Sequence, residues 1–110
     1  MDYPELIVDT RKGLRFLKSI EIVTCKADGN YTTIQLQCGE RILISKKLKE
    51  LENILSKDHF FRIHHSHLIN LYHLKTMKNG TDMKVQLSDG QELDISKRKR
   101  GAFMKLFKKL

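Results

Sequence analysis

The sequence of 110 residues predicts one mainly β domain built of small antiparallel sheets with two short α-helices. Three observations predict it. Turn signals divide the chain at short intervals: Arg11-Lys12-Gly13, Asp28-Gly29, Gln37-Cys38-Gly39-Glu40, Asn79-Gly80 and Ser88-Asp89-Gly90. The segments between them are rich in β-forming residues or alternate apolar with polar side chains. Two segments alone carry apolar residues at helical spacing.

Taken in order, Leu6-Ile7-Val8 is a brief strand that Arg11-Lys12-Gly13 turns. Ile20 to Lys26 and Tyr31 to Gln37 are β-rich runs, and Asp28-Gly29 between them signals a hairpin. Gln37 to Glu40 turns the chain into Arg41–Ile44. A helix follows from about Lys46 to Leu55, with Leu48, Leu51, Ile54 and Leu55 on one face. Leu68 to Met77 leads to a second hairpin turn at Asn79-Gly80. From Asp82 to Leu87, the alternation of Met83, Val85 and Leu87 predicts a half-buried strand. Leu93 and Ile95 continue that period after the turn at Ser88-Asp89-Gly90. The second helix spans about Lys97 to Leu110, with Phe103, Leu106, Phe107 and Leu110 as its apolar stripe. Without linkers, low-complexity tracts or long repeats, residues 1–110 read as a single domain.

Composition narrows the function. Lys and Arg number 21 against 13 Asp and Glu, a net charge of +8. An excess of this size implies an anionic partner: nucleic acid, a membrane surface or an acidic protein. Residues 1–58 carry a net +1 and residues 59–110 a net +7, so the partner meets mainly the second half. Apolar runs are too short for a membrane span, and no signal-peptide pattern opens the chain. Cys25 and Cys38 form neither a CxxC pair nor a disulfide framework and read as ordinary core or edge thiols. The chain is therefore expected to be cytoplasmic.

Both helix starts carry charge of the wrong sign. Ile44-Ser45-Lys46-Lys47 opens the first and Ile95-Ser96-Lys97-Arg98-Lys99-Arg100 the second. Serine is a good N-cap, but the residues after it should be acidic, because a helix N-terminus is partially positive. Each misplaced cation costs about 0.3–1 kcal/mol at an exposed terminus. Free N–H groups, a hydroxyl and cations together suit a phosphate.

The segment Phe60-Phe61-Arg62-Ile63-His64-His65-Ser66-His67-Leu68-Ile69-Asn70 admits three readings. On a strand, His65 and His67 share a face while His64 points away, so only two ligands converge and no metal site is expected. No nucleophile constellation or phosphate-cradling loop accompanies the histidines, so catalysis is not expected. Arg, His and Ser at close spacing also suit phosphates and base edges. Phe60 and Phe61 anchor the segment in the core on this reading, and Asn70 is a buried amide serving neighbouring backbone.

This segment resembles the hallmark F-F-R-x-H-x-S-x-x-[VI]-N of LytTR-type DNA-binding domains, with every fixed position matched from Phe60 to Asn70. Ala27-Asp28-Gly29-Asn30-Tyr31-Thr32 and Ile95-Ser96-Lys97-Arg98-Lys99 resemble two further signatures of that family, and Leu48-Lys49-Glu50-Leu51 lies where it places a helix. The resemblance covers roughly residues 5–108. It implies an elongated β fold that binds double-stranded DNA through loops, for transcription regulation. It also implies the output domain of a bacterial two-component response regulator, commonly bound as two copies on direct repeats. No receiver domain precedes Leu6, so the chain is either free-standing or an excised part of a longer regulator. Carried over position by position, base contacts fall on Asn30 or Tyr31, His65 and Arg98. Phosphate contacts fall on Thr32, Lys46, Lys47, Arg62, His64, Ser66, Ser96 and Lys97. No cofactor and no enzymatic activity are implied.

A second class of function stays open. A basic module docking an acidic protein or single-stranded RNA carries the same charge, and Phe60, Phe61 and Tyr72 offer a base-stacking platform for RNA.

Overall fold

The chain opens with an antiparallel ribbon of β1 (Leu6–Thr10) and β2 (Gly13–Leu17), in a computed structural model that describes residues 3–78 and 83–110. Val8 and Leu17 point inward from it, while Ile7, Leu14 and Phe16 stay exposed. Apolar residues on both faces hid β2 from a reading based on alternation. Gly13 takes φ +119°, a conformation that L side chains rarely adopt, and closes the turn.

Next come β3 (Ile22–Asp28), β4 (Tyr31–Leu36), β5 (Arg41–Ile44), helix α1 (Leu48–Ile54), β6 (Phe60–His64) and β7 (His67–Asn70). The strands form one antiparallel sheet in the order β5-β4-β3-β7-β6. After a 3-10 turn at Leu71–His73, β8 (Leu74–Lys78), β9 (Lys84–Leu87) and β10 (Glu92–Asp94) form a second antiparallel sheet, and α2 (Lys97–Met104) follows. The expected turn at Asn79-Gly80 and the strand start at Asp82 lie outside the described residues. No helix among the described residues is long and apolar enough to cross a membrane.

Two cores hold these parts together. Val8, Leu17, Cys25, Ile34, Leu36, Leu48, Leu51, Phe60 and Leu68 fill the space between one face of the five-stranded sheet, the ribbon and α1. Val23, Ile63, Ile69, Val85, Leu87, Ile95 and Phe103 fill the space between the other face, the three-stranded sheet and α2. An irregularity between Ile22 and Thr24 resets the alternation of β3, so Val23 joins the second core and Cys25 the first. Burial pushes the Cys25 thiol up to about 12, which leaves it an inert apolar filler.

Three expectations need correction. The run from Leu68 to Met77 is not one strand: the 3-10 turn breaks it, and the Asn70 carboxamide accepts from Tyr72 N–H at 3.0 Å there. The first helix begins at Leu48, and Ile54 is exposed, because it lies at the margin of the stripe that Leu48, Leu51 and Leu55 bury. The second helix stops at Met104. Leu106 and Phe107 instead close i→i−3 hydrogen bonds to Phe103 and Met104, and Leu106, Phe107 and Leu110 are exposed, since only Phe103 reaches a core.

Asn70 joins the elements. Its Nδ2 donates to the carbonyls of Ser19 at 3.1 Å and Ile22 at 2.9 Å, in addition to the bond from Tyr72. Asn70→Ala takes the side-chain partner from Ile22 O and Tyr72 N–H, while Ser19 O keeps the Ile22 N–H. Urea unfolding is expected to show a loss of about 3 kcal/mol, at about 1–3 kcal/mol per orphaned group; a loss under about 1 kcal/mol would show that water replaces the amide freely.

Candidate nucleic-acid interface

The antiparallel order of the large sheet sends three connections to one end. These are the β3–β4 turn, the β6–β7 turn, and the link from β5 into α1. Short hydrogen bonds tie them together. Ala27 N–H donates to Ser66 O at 2.9 Å, joining the first two turns. Thr32 Oγ1 donates to Lys46 O at 2.7 Å, joining β4 to the third link. Ser96 N–H donates to Ile63 O at 2.8 Å, which brings the start of α2 to the same end. Stretches near residues 30, 46, 65 and 97 thus share one tip.

In the β3–β4 hairpin, Asp28 pairs with Tyr31, so Gly29 and Asn30 are the two turn residues. Gly29 has φ +61° and Asn30 does not have positive φ, the pattern of a II′ turn. Asn30 and Tyr31 are exposed at the tip. Thr32 is not: its side chain is fully buried and its hydroxyl is committed to Lys46 O. The expected phosphate contact at Thr32 is therefore corrected to a brace that positions Lys46.

The histidines do not lie along one strand. His65 and Ser66 form the turn, and His64 faces His67 across the hairpin. Ring centroids are 4.2 Å apart for His64 and His65 and 5.8 Å for His64 and His67. Among the described residues no group of three metal-ligating side chains is placed to hold an ion. Ser66 N–H donates to His64 Nδ1 at 3.1 Å, which puts any proton of the neutral ring on Nε2. His65 is exposed and His64, Ser66 and His67 are half-buried. Burial, with the nearby His64, Lys26 and His65 charges, holds His67 below the usual histidine range.

Arg62 also departs from expectation. Its guanidinium donates to His64 O at 3.1 Å, His65 O at 2.6 Å and Glu52 Oε1 at 2.9 Å. A planar fork so engaged, on a side chain only 20 % exposed, is not presented to a phosphate. Arg62 is corrected to an internal clamp on the β6–β7 turn.

The helix starts differ from one another. In α1 the N-cap is Lys47, and Ser45 lies outside the helix. Glu50 occupies the first turn, its carboxylate accepts from Lys47 N–H at 3.3 Å, and Lys46 Nζ lies 3.9 Å from it. The charge mismatch expected there is thus answered within the chain, with Lys46 and Lys47 exposed. In α2 the N-cap is Ser96 and the first turn has no acid. The Ser96 hydroxyl is buried and has no hydrogen-bond partner among the described residues. Lys97 and Arg98 are exposed, and Lys99 Nζ sits 5.9 Å from the centre of the Phe61 ring.

The structure adds Lys26, which motif matching passed over. It is exposed, opposite His67 and on the face that alternation assigns to Asp28; its two-residue spacing from the Asp28-Gly29 turn was the available signal. The aromatic platform is not assembled. Phe60 is buried in one core, Phe61 packs against the other, and Tyr72 lies beyond the far end of β7.

Comparison with known proteins places this arrangement. A family model described as the LytTr DNA-binding domain matches residues 12–108. The heme-containing CO-sensing transcriptional regulator RcoM 2 of Paraburkholderia xenovorans (strain LB400) is 31 % identical over 76 residues, which cover 68 % of this chain. The matched region is 28 % of that protein's length. The solved LytTr DNA-binding domain of a putative methyl-accepting/DNA response regulator from Bacillus cereus has the same fold, with a TM-score of 0.78 at 20 % identity over 96 % of this chain and 97 % of that one.

The depressed His67 sets a pH dependence. The unfolded chain binds the His67 proton more readily than the folded one, so stability falls as pH drops below the unfolded value of about 6.5. Burial sets most of the effect, the His64, Lys26 and His65 charges add to it, and Asp94 opposes it. Urea unfolding at pH 7.5 and 5.5 is expected to show a smaller acid-side loss in His67→Gln than in the unaltered chain; an equal loss would remove His67 from the account.

Proposed function

The chain belongs to the LytTr DNA-binding domain family, and on that premise we propose that it reads a duplex sequence with the tip of its large sheet to regulate transcription. Asn30, Tyr31, His65 and Arg98 meet base edges. Lys46, Lys47, His64, Ser66, Ser96 and Lys97 hold phosphates. The observation that carries this reading is the convergence of four distant stretches on one end, three of them bearing exposed base-reading candidates. Residues chosen only for a solvated surface have no reason to meet there.

Each group suits its part. The Arg98 fork matches guanine O6 and N7, and Asn30 pairs with adenine in the same bidentate way. With Nδ1 accepting from Ser66, neutral His64 offers an Nε2 donor for a phosphate oxygen. The Ser96 hydroxyl meets no acceptor among the described residues and lies beside helix N–H groups that lack intrahelical partners. Cations at the start of α2 then face an anion that offsets their repulsion by the helix dipole.

Within a longer regulator the chain is an output domain acting in the cytoplasm, joined to a receiver or another sensing domain. Two copies would occupy direct repeats. The matched region is likewise a minor part of the curated relative's length. The other reading, a basic module for RNA or an acidic protein, is weakened by the dispersal of Phe60, Phe61 and Tyr72.

Selection from genomic fragments at fixed salt separates the two. Enrichment of a shared sequence supports the proposal, and indifference to duplex sequence supports the other reading. On the enriched duplex, Arg98→Ala is expected to cost about 1–3 kcal/mol and relax preference at one base pair. Lys47→Ala should weaken all duplexes alike and lower the salt slope by about 1. Equal, sequence-blind losses from both substitutions would overturn these roles.

A further inference from the structure

We infer that Glu52 is a remote determinant of sequence specificity, acting through Arg62 on the pose of His65. The inference rests on the sequence-reading role proposed above. Neither Glu52 nor Arg62 is among the residues that meet DNA in that proposal, so both are positioning residues.

The β6–β7 turn is short of ladder support where it matters. Pairing is regular from Phe60 to Arg62, shifts between Arg62 and His64, and ends at the turn. The carbonyls of His64 and His65 are held there by Arg62 Nε and Nη2, at 3.1 and 2.6 Å. One rigid plane thus grips two successive peptide groups and fixes the direction in which the His65 side chain leaves the turn. Arginine alone leaves that plane free to turn about its long side chain. Glu52 removes the freedom by accepting from Nη1 at 2.9 Å.

Glu52 is itself anchored. It lies on α1, whose Leu48 and Leu51 are buried in the first core, and its own side chain is 34 % exposed. The chain of contacts runs from core to helix to carboxylate to guanidinium to turn. A reading side chain displaced by a fraction of an ångström loses bidentate geometry, while phosphate attraction barely changes. Loss of Glu52 should therefore damage discrimination and spare general grip.

The test compares duplexes selected from a random library by the unaltered chain, Glu52→Gln and Arg62→Gln, with thermal melting to confirm that each variant folds. Glu52→Gln removes the charge that holds Arg62 Nη1 and leaves at most a weaker neutral hydrogen bond, at a partly exposed helix position where the fold is expected to survive. It is expected to bind the duplex preferred by the unaltered chain about tenfold more weakly. It should bind an unrelated duplex equally well, at an unchanged salt slope, with preference lost at one base-pair position. In a His65→Ala background the same change should cost less than about twofold. Wild-type enrichment that Glu52→Gln leaves intact overturns the inference alone. So does an Arg62→Gln variant that weakens every duplex equally and lowers the salt slope by about 1, since Arg62 would then touch a phosphate. A wild-type chain that enriches no sequence overturns the sequence-reading proposal and this inference with it.

Discussion

Leu68 and Ile69 are neighbours in β7 and point to opposite faces of the sheet, so each fills a different core. β6 does the same with Phe60 and Ile63. The hairpin they form is therefore the shared wall between two cores. Burying one such side chain contributes about 1.5–3 kcal/mol, and a one-residue slip would send every one of them to the wrong side. The register of this hairpin, and with it the position of the His65–Ser66 turn, is fixed by packing on both faces at once.

From that constraint the interface follows. β3 pairs with β7, and Ala27 reaches Ser66 at the tip. β4 pairs with β3, and buried Thr32 reaches Lys46. Ser96 attaches to Ile63, a residue of the second core. Each exposed candidate is thus one or two residues from a buried anchor. Tyr31 precedes Thr32, Arg98 follows Ser96, and His65 lies between the clamped His64 carbonyl and Ser66. Exposed groups on short tethers lose little further freedom on meeting a ligand.

Charge and specificity are divided among different residues. Arg62, a cation in the most distinctive segment, spends its donors inside the protein. Lys46 is partly answered by Glu50. The cations at the start of α2 have no acid in the first turn. At the start of α2, Lys97 and Arg98 are exposed next to the buried Ser96 hydroxyl.

The sequence by itself determined the mainly β class, most turns, the two helices and the three signatures, because period-two alternation, glycine at turns and motif spacing are local properties. It also determined that Asn70 serves the backbone, since an amide amid apolar residues must find partners. It did not determine that β2 is a strand, that the Leu68–Met77 run breaks, or that α2 ends at Met104. Those depend on which faces find an apolar partner. Nor did it separate Thr32 and Arg62 from the residues that face outward. A hydroxyl or guanidinium is equally competent toward a phosphate and toward a carbonyl, and only tertiary structure decided which was nearer: Lys46 O at 2.7 Å for Thr32, and the turn carbonyls with Glu52 for Arg62.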